Sequence, residues 1–114
     1  MKIAIAQINP TIADISGNKE KIFQSISDAK ENHCDLVVFP EMTTIGYPPM
    51  DLLQNKKLIN DNLALLNEIA AYADDIAIVL GFVDFDKENP PMLLNSAAFM
   101  ENKEIKLKQP KTLL

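Results

Sequence analysis

The 114-residue chain has no arginine and no tryptophan, one cysteine, one histidine and three glycines. Each shortage excludes something. Without arginine there is no guanidinium fork to grip a phosphate or carboxylate in two places, and all 11 basic residues are lysines. Sixteen acids outnumber them, giving a net charge of -5. Nucleic acid is therefore not an expected partner, because phosphate binding needs clustered positive charge. The lone cysteine, Cys34, cannot close an intramolecular disulfide, which suits a reducing, cytoplasmic compartment. His33 stands beside it, so no zinc site with usual ligand spacing and no Cys/His dyad can be built from this chain alone. Three scattered glycines make no phosphate-cradling loop, so no ATP site is expected in this segment.

Long apolar runs are missing too. The longest, over residues 76–83, is far short of the roughly 20 residues that a bilayer span needs. The apolar start is broken by Gln7 and Asn9, and no small-residue cleavage site follows. The expectation is a soluble chain with no membrane partner.

What is present is apolar patterning. Hydrophobic residues make up 47% of the chain, enough for a real core. The length allows one ordinary domain or part of a larger one. Residues 3–8 read as a strand buried on both faces, closed by Pro10. Asp14 or Ser16 can cap a helix reaching about Asn32, with Ile22, Ile26 and Ala29 as its apolar stripe. Residues 35–39 form a second strand, stopped by Pro40. A loop over 41–50 follows, with Gly46, Pro48 and Pro49 as breakers. Pro48 and Pro49 are expected to fix its backbone.

A second helix is expected over 55–72, its core face on Ile59, Leu63, Leu66 and Ala70, widened by Leu58, Leu65 and Ile69. Residues 76–83 make a third strand and 86–91 a polar loop. Residues 93–100 and 103–108 read as a hairpin about Glu101 and Asn102, with Ile105 and Leu107 on one face and lysines on the other. Asn95 and Ser96 are expected to be cross-strand pairs. Asp84, Asp86 and Glu88 lack the glycine and closing glutamate of a calcium loop and read as a solvated turn. The order is β-α-β-α-β and then a β-ribbon, which predicts an α/β layered sheet.

The most informative stretch is Val37-Val38-Phe39-Pro40-Glu41. A buried strand delivers a carboxylate to its C-terminal tip, the end where α/β sheets bind ligands. Beside Phe39 and Pro40, partial desolvation would raise the pKa of Glu41 toward a general base's working range. An acid that simply ends a strand and faces water fits the same residues.

This stretch, preceded by Asp35-Leu36 and followed by Gly46-Tyr47, resembles the catalytic-glutamate signature of the nitrilase (carbon–nitrogen hydrolase) superfamily. Residues 2–10 look like that family's first strand, and Asp14 with Gly17-Asn18 like the entry to its first helix. Gly46-Tyr47-Pro48-Pro49 and then Asp51-Leu52-Leu53 resemble the amidase domain of its glutamine-dependent NAD synthetase branch, although Met50 stands where that branch usually has an acid.

The resemblance implies a four-layer αββα sandwich, of which 1–114 would be an incomplete N-terminal amidase domain. It implies Glu41 as general base. It implies Lys111, followed by Thr112-Leu113-Leu114, as the lysine that faces the developing oxyanion. Lys106 and Lys108 are its near competitors in register. It also implies Tyr47 as a wall of a glutamine pocket, where the residues alone equally allow a tyrosine capping the core. ATP and Mg2+ would belong to a synthetase domain outside this segment. The family's third group is a nucleophilic cysteine. Cys34 precedes the strand that Glu41 follows, about 23 Å of extended chain away. A base must come within about 3 Å of the proton it takes. Cys34 is thus expected to be a packing residue, the nucleophile to lie past Leu114, and the chain alone to be inactive. Half of such a sandwich would expose an apolar face and self-associate. A stand-alone hydrolase of another amide, or a non-catalytic binding piece, are the rival readings.

Overall fold

A computed structural model describes residues 1–47, 50–90 and 92–114. The expected roles of Pro48 and Pro49, and the Pro91 end of the polar loop, lie outside the described residues. The elements run β1 (Ile3–Ile5), α1 (Ile15–Glu31), β2 (Leu36–Val38), α2 (Met50–Leu53), α3 (Lys56–Ala70), β3 (Ala77–Phe85), β4 (Leu93–Glu101) and β5 (Glu104–Leu113). The strands form one sheet in the order β1-β2-β3-β4-β5. The first three are parallel and joined across helices, as the alternation of strand and helix requires, while β4 and β5 are antiparallel additions.

Both long helices start where a side chain can satisfy their free backbone N–H groups. Asp14 accepts from the N–H of Gly17, and Asn55 accepts from that of Leu58. The expected stripe of α1 is buried in full at Ile22, Ile26 and Ala29, and α3 buries Ile59, Leu65, Leu66, Ile69 and Ala70. They pack on Val37, Ile78, Leu80, Phe82, Ala98 and Met100 of the sheet. Phe23 of α1 meets Tyr72 with ring centroids 4.6 Å apart. The short α2 overlaps the expected loop only at Met50 and otherwise fills residues given no element before α3, because four residues carry too little periodicity to be seen in a sequence.

Two neighbouring rows of residues across the five strands show how the sheet is covered. One runs Ala4, Val37, Ile78, Met100, Ile105 and lies under the helices. The next runs Ile5, Val38, Val79, Phe99, Leu107 on the opposite face, where Ile5 is 73% and Leu107 55% exposed. This corrects the expectation of a first strand buried on both faces. Strand β1 is three residues long, sits at the sheet edge, and has only its Ala4 side covered.

The ribbon also departs from simple alternation. Its register shifts between Phe99 and Met100, so Ile105 opposes Met100 while Leu107 opposes Phe99. Ile105 and Leu107 therefore lie on opposite faces, not on one. The turn is one residue later than expected. Asn102 and Lys103 both have positive φ, 54° and 62°, as a two-residue hairpin loop with the twist of its strands needs.

Candidate active site

Strand β2 ends at Val38, but β3 runs on, and the chain after β2 stays along its edge. The N–H of Phe39 donates to the carbonyl of Val79 at 2.9 Å, and that of Thr43 to Gly81 at 3.0 Å. Between these two ties sits Glu41. Met42, buried, is held in the left-handed region at φ 49°, a conformation that a side chain larger than glycine's resists. Gly46 closes the loop at φ 74°, with Ile12 packed so closely that a Cβ would lie 3.0 Å from its Cα.

A buried polar network anchors this loop. Asn62 of α3, with 0% exposure, donates to the carbonyl of Val83 at 2.9 Å and accepts from its N–H at 3.0 Å. Its amide thus stands in for a neighbouring strand where β2 has run out. The same side-chain oxygen accepts from the Thr44 hydroxyl at 2.8 Å. Asn18 of α1, equally buried, donates to the carbonyls of Thr44 and Thr11 and accepts from the N–H of Thr11 at 2.7 Å. Two asparagines on two helices therefore hold Thr44, Asn62 by bridging it to Val83 of β3 and Asn18 by bridging it to Thr11.

Lys111 lies 70 residues further on, and its ammonium donates to Oε1 of Glu41. Lys111, expected after the ribbon, lies within β5. It sits at the second register shift. Thr112 opposes Asn95 and Pro110 opposes Ser96, which leaves Lys111 as the extra residue. A bulge of this kind re-aims a side chain. Pro110 is compatible because β5 is an edge strand. Lys106, by contrast, pairs with Glu104 at 2.8 Å.

The hydroxyl of Tyr47 donates to the other oxygen of Glu41, Oε2. Tyr47 is 61% exposed and so does not cap the core. The Lys111 and then the Tyr47 hydrogen bond, with the added attraction of the Lys111 charge, hold the Glu41 carboxyl below its ordinary pKa, against a smaller opposing effect of burial. This corrects the expected rise. Glu41 is an exposed residue with a cation beside it, and the charge outweighs desolvation. The phenol of Tyr47 is pushed up in turn, because ionising it would remove the hydrogen bond it gives Glu41.

Cys34 is half-buried at the other end of β2, and its N–H donates to the carbonyl of Ala29 where α1 ends. It lines a surface cleft with Lys30, His33, Asp35, Asp75 and Ile76, none of which belongs to the Glu41 site. Asp86 holds a local turn through the N–H of Glu88 and the side chain of Asn89, each at 3.1 Å. Among the described residues no group of three metal-ligating side chains converges. Among the described residues, no helix is long and apolar enough to cross a membrane.

Neither Asn18 nor Asn62 was expected to hold this loop. Their signal was present: Asn18 stands one turn before Ile22, Ile26 and Ala29, and Asn62 between Ile59 and Leu66, each an amide on an apolar stripe. Asn95 and Ser96 are the cross-strand residues expected, and both are buried. The Oδ1 of Asn95 has no hydrogen-bond partner among the described residues.

Comparison with known proteins identifies the family. The sequence pattern of the carbon-nitrogen hydrolase family matches residues 2–114. A glutamine-dependent NAD(+) synthetase of Thermotoga maritima is 32% identical over 107 residues, covering 92% of this chain and 18% of that protein. An arylacetonitrilase of Arthroderma benhamiae is 38% identical over 96 residues, covering 74% of this chain and 29% of that protein. The solved structure of a glutamine-dependent NAD+ synthetase from Acinetobacter baumannii, in complex with ADP, superposes with a TM-score of 0.84 at 32% identity, over 96% of this chain and 20% of that one. The chain thus spans about a fifth of the synthetases it matches. Its sheet with helices on one face is two layers of the four-layer nitrilase fold, the fold class expected from the sequence. With its family pattern matched from Lys2 to Leu114, this chain belongs to the carbon-nitrogen hydrolase family.

Proposed function

We propose that residues 1–114 are the N-terminal part of the amidase domain of a glutamine-dependent NAD synthetase, and that they supply two of its three catalytic groups, Glu41 and Lys111. The carrying observation is their direct contact across 70 residues of sequence, with Tyr47 on the same carboxylate. In this reading glutamine is the substrate. Glu41, kept ionised by its partners, takes the proton of a cysteine thiol as that sulfur bonds to the side-chain amide carbon. The Lys111 ammonium faces the oxygen that becomes negative. Glu41 then returns the proton to the departing ammonia, leaving a thioester for water to hydrolyse. Tyr47 lines the substrate pocket.

Cys34 is not that thiol, since β2 separates it from Glu41. The nucleophile, and the ATP- and Mg2+-dependent ligase domain that passes ammonia to nicotinic acid adenine dinucleotide, lie outside these residues. No step here runs through ATP or a metal. A cytoplasmic location belongs to the same reading, and so does self-association through the uncovered face of the sheet. The NAD synthetase branch is preferred to a nitrile or general amide hydrolase because Gly46-Tyr47 is followed by Asp51-Leu52-Leu53, and because the synthetase matches more of the chain than the arylacetonitrilase does.

The test is a chimera in which this chain replaces the matching N-terminal segment of the Thermotoga synthetase. It should make NAD from glutamine, and Glu41→Gln or Lys111→Met should abolish that while sparing synthesis from added ammonia. Glutamine-driven synthesis that persists in Glu41→Gln would sink the assignment. The chain alone should release no ammonia from glutamine. Release that survives Cys34→Ala and disappears in Glu41→Ala would show a complete site and overturn the two-of-three reading.

A further inference from the structure

Gly81 lies in the middle of β3 beneath the loop that carries Glu41, and no positive φ there calls for glycine. Its need is for room. A Cβ at position 81 would stand 2.6 Å from the backbone nitrogen of Met42, 2.7 Å from the Cα of Glu41 and 2.7 Å from the carbonyl oxygen of Pro40. All three are backbone atoms, which cannot swing aside as a flexible side chain would. The loop is also pinned on one side of the contact. Thr43 is tied to the Gly81 carbonyl, and Thr44 is held by Asn62 and Asn18. Any yielding must fall on residues 40–42, where Glu41 is. Close approach of another backbone is one of the reasons glycine occurs inside a strand.

We propose that Gly81 is a positioning residue for Glu41: the missing side chain lets the Pro40–Met42 backbone lie directly on β3, and this sets the carboxylate within reach of Lys111 and Tyr47. The catalytic meaning of that placement rests on the amidase reading above, but the placement itself can be tested on this chain without any activity. The reporter is the Glu41 carboxyl, followed by NMR through a pH titration. In the wild type its midpoint should lie below the ordinary 4.5 because of Lys111. In Gly81→Ala, with a dispersed amide spectrum showing a folded chain, the midpoint should rise toward the ordinary value, at least as far as in Lys111→Met, which keeps the Tyr47 hydrogen bond.

Should Gly81→Ala not fold, Pro40→Ala/Gly81→Ala gives the crowding an outlet, since the proline ring that fixes φ at residue 40 is gone. Its Glu41 midpoint should then be ordinary, while Pro40→Ala alone keeps it low. A folded Gly81→Ala, or a double variant, whose Glu41 titrates as low as its parent overturns the role of Gly81 and leaves the Glu41–Lys111 pair standing. A wild type whose Glu41 titrates at the ordinary value overturns the pair and the positioning role together.

Discussion

Glu41 illustrates how partner charge overrides local polarity. Phe39 and Pro40 beside it suggest an apolar setting, yet the carboxyl is exposed and its nearest strong influence is an ammonium from the far end of the chain. The consequence for stability has a definite sign. A carboxyl whose folded pKa lies below its unfolded value adds stability above the unfolded value and loses it as the pH falls through the folded one. Wild type should therefore be more stable than Lys111→Met near neutral pH, by a small and salt-screened margin. That margin should shrink as the pH falls below the unfolded carboxyl's ordinary 4.5 and be gone once Glu41 is protonated in the folded chain as well. Urea midpoints of the two proteins across this range check it. A margin independent of pH would show that Lys111 acts through packing alone. None of this was legible in residues 35–41, because the decisive neighbour is 70 positions away.

At the scale of elements, the helices were readable and the strand ends were not. The stripes of α1 and α3 repeat every three or four residues and need nothing beyond the helix period to be seen. Strand β5 was harder, because its two register shifts break the period of two on which alternation depends. The loop between β2 and α2 depends on both helices. Asn62 ties it to β3 by occupying the N–H and carbonyl of Val83, which would otherwise be buried without partners. Asn62→Leu should cost roughly 1–3 kcal/mol, the penalty for leaving such groups unpaired. It should appear as a lower urea midpoint with an unchanged slope. A stability equal to that of the wild type would mean that water replaces the amide.

For the whole molecule, the governing fact is a sheet covered on one face. The row Ile5, Val38, Val79, Phe99, Leu107 is apolar across all five strands and has no helix over it. Apolar surface of that extent favours burial against another surface. The chain should sediment as a dimer or larger species at micromolar concentration, and Leu107→Glu, which puts a charge on the row at the exposed edge strand, should shift it toward monomer. A wild type that stays monomeric in analytical ultracentrifugation counts against this.

By itself the sequence determined the α/β order, the helix stripes, and the Phe39-Pro40-Glu41 signature that marks the family. These depend on neighbours within a turn or a strand, so the physics that sets them is local. Only the tertiary structure decided that Lys111 and Tyr47 share one carboxylate, that two buried asparagines clamp its loop, and that Gly81 must lack a side chain. Those facts arise where segments far apart in the chain meet edge to edge. There the packing of one backbone on another sets the position and charge state of Glu41.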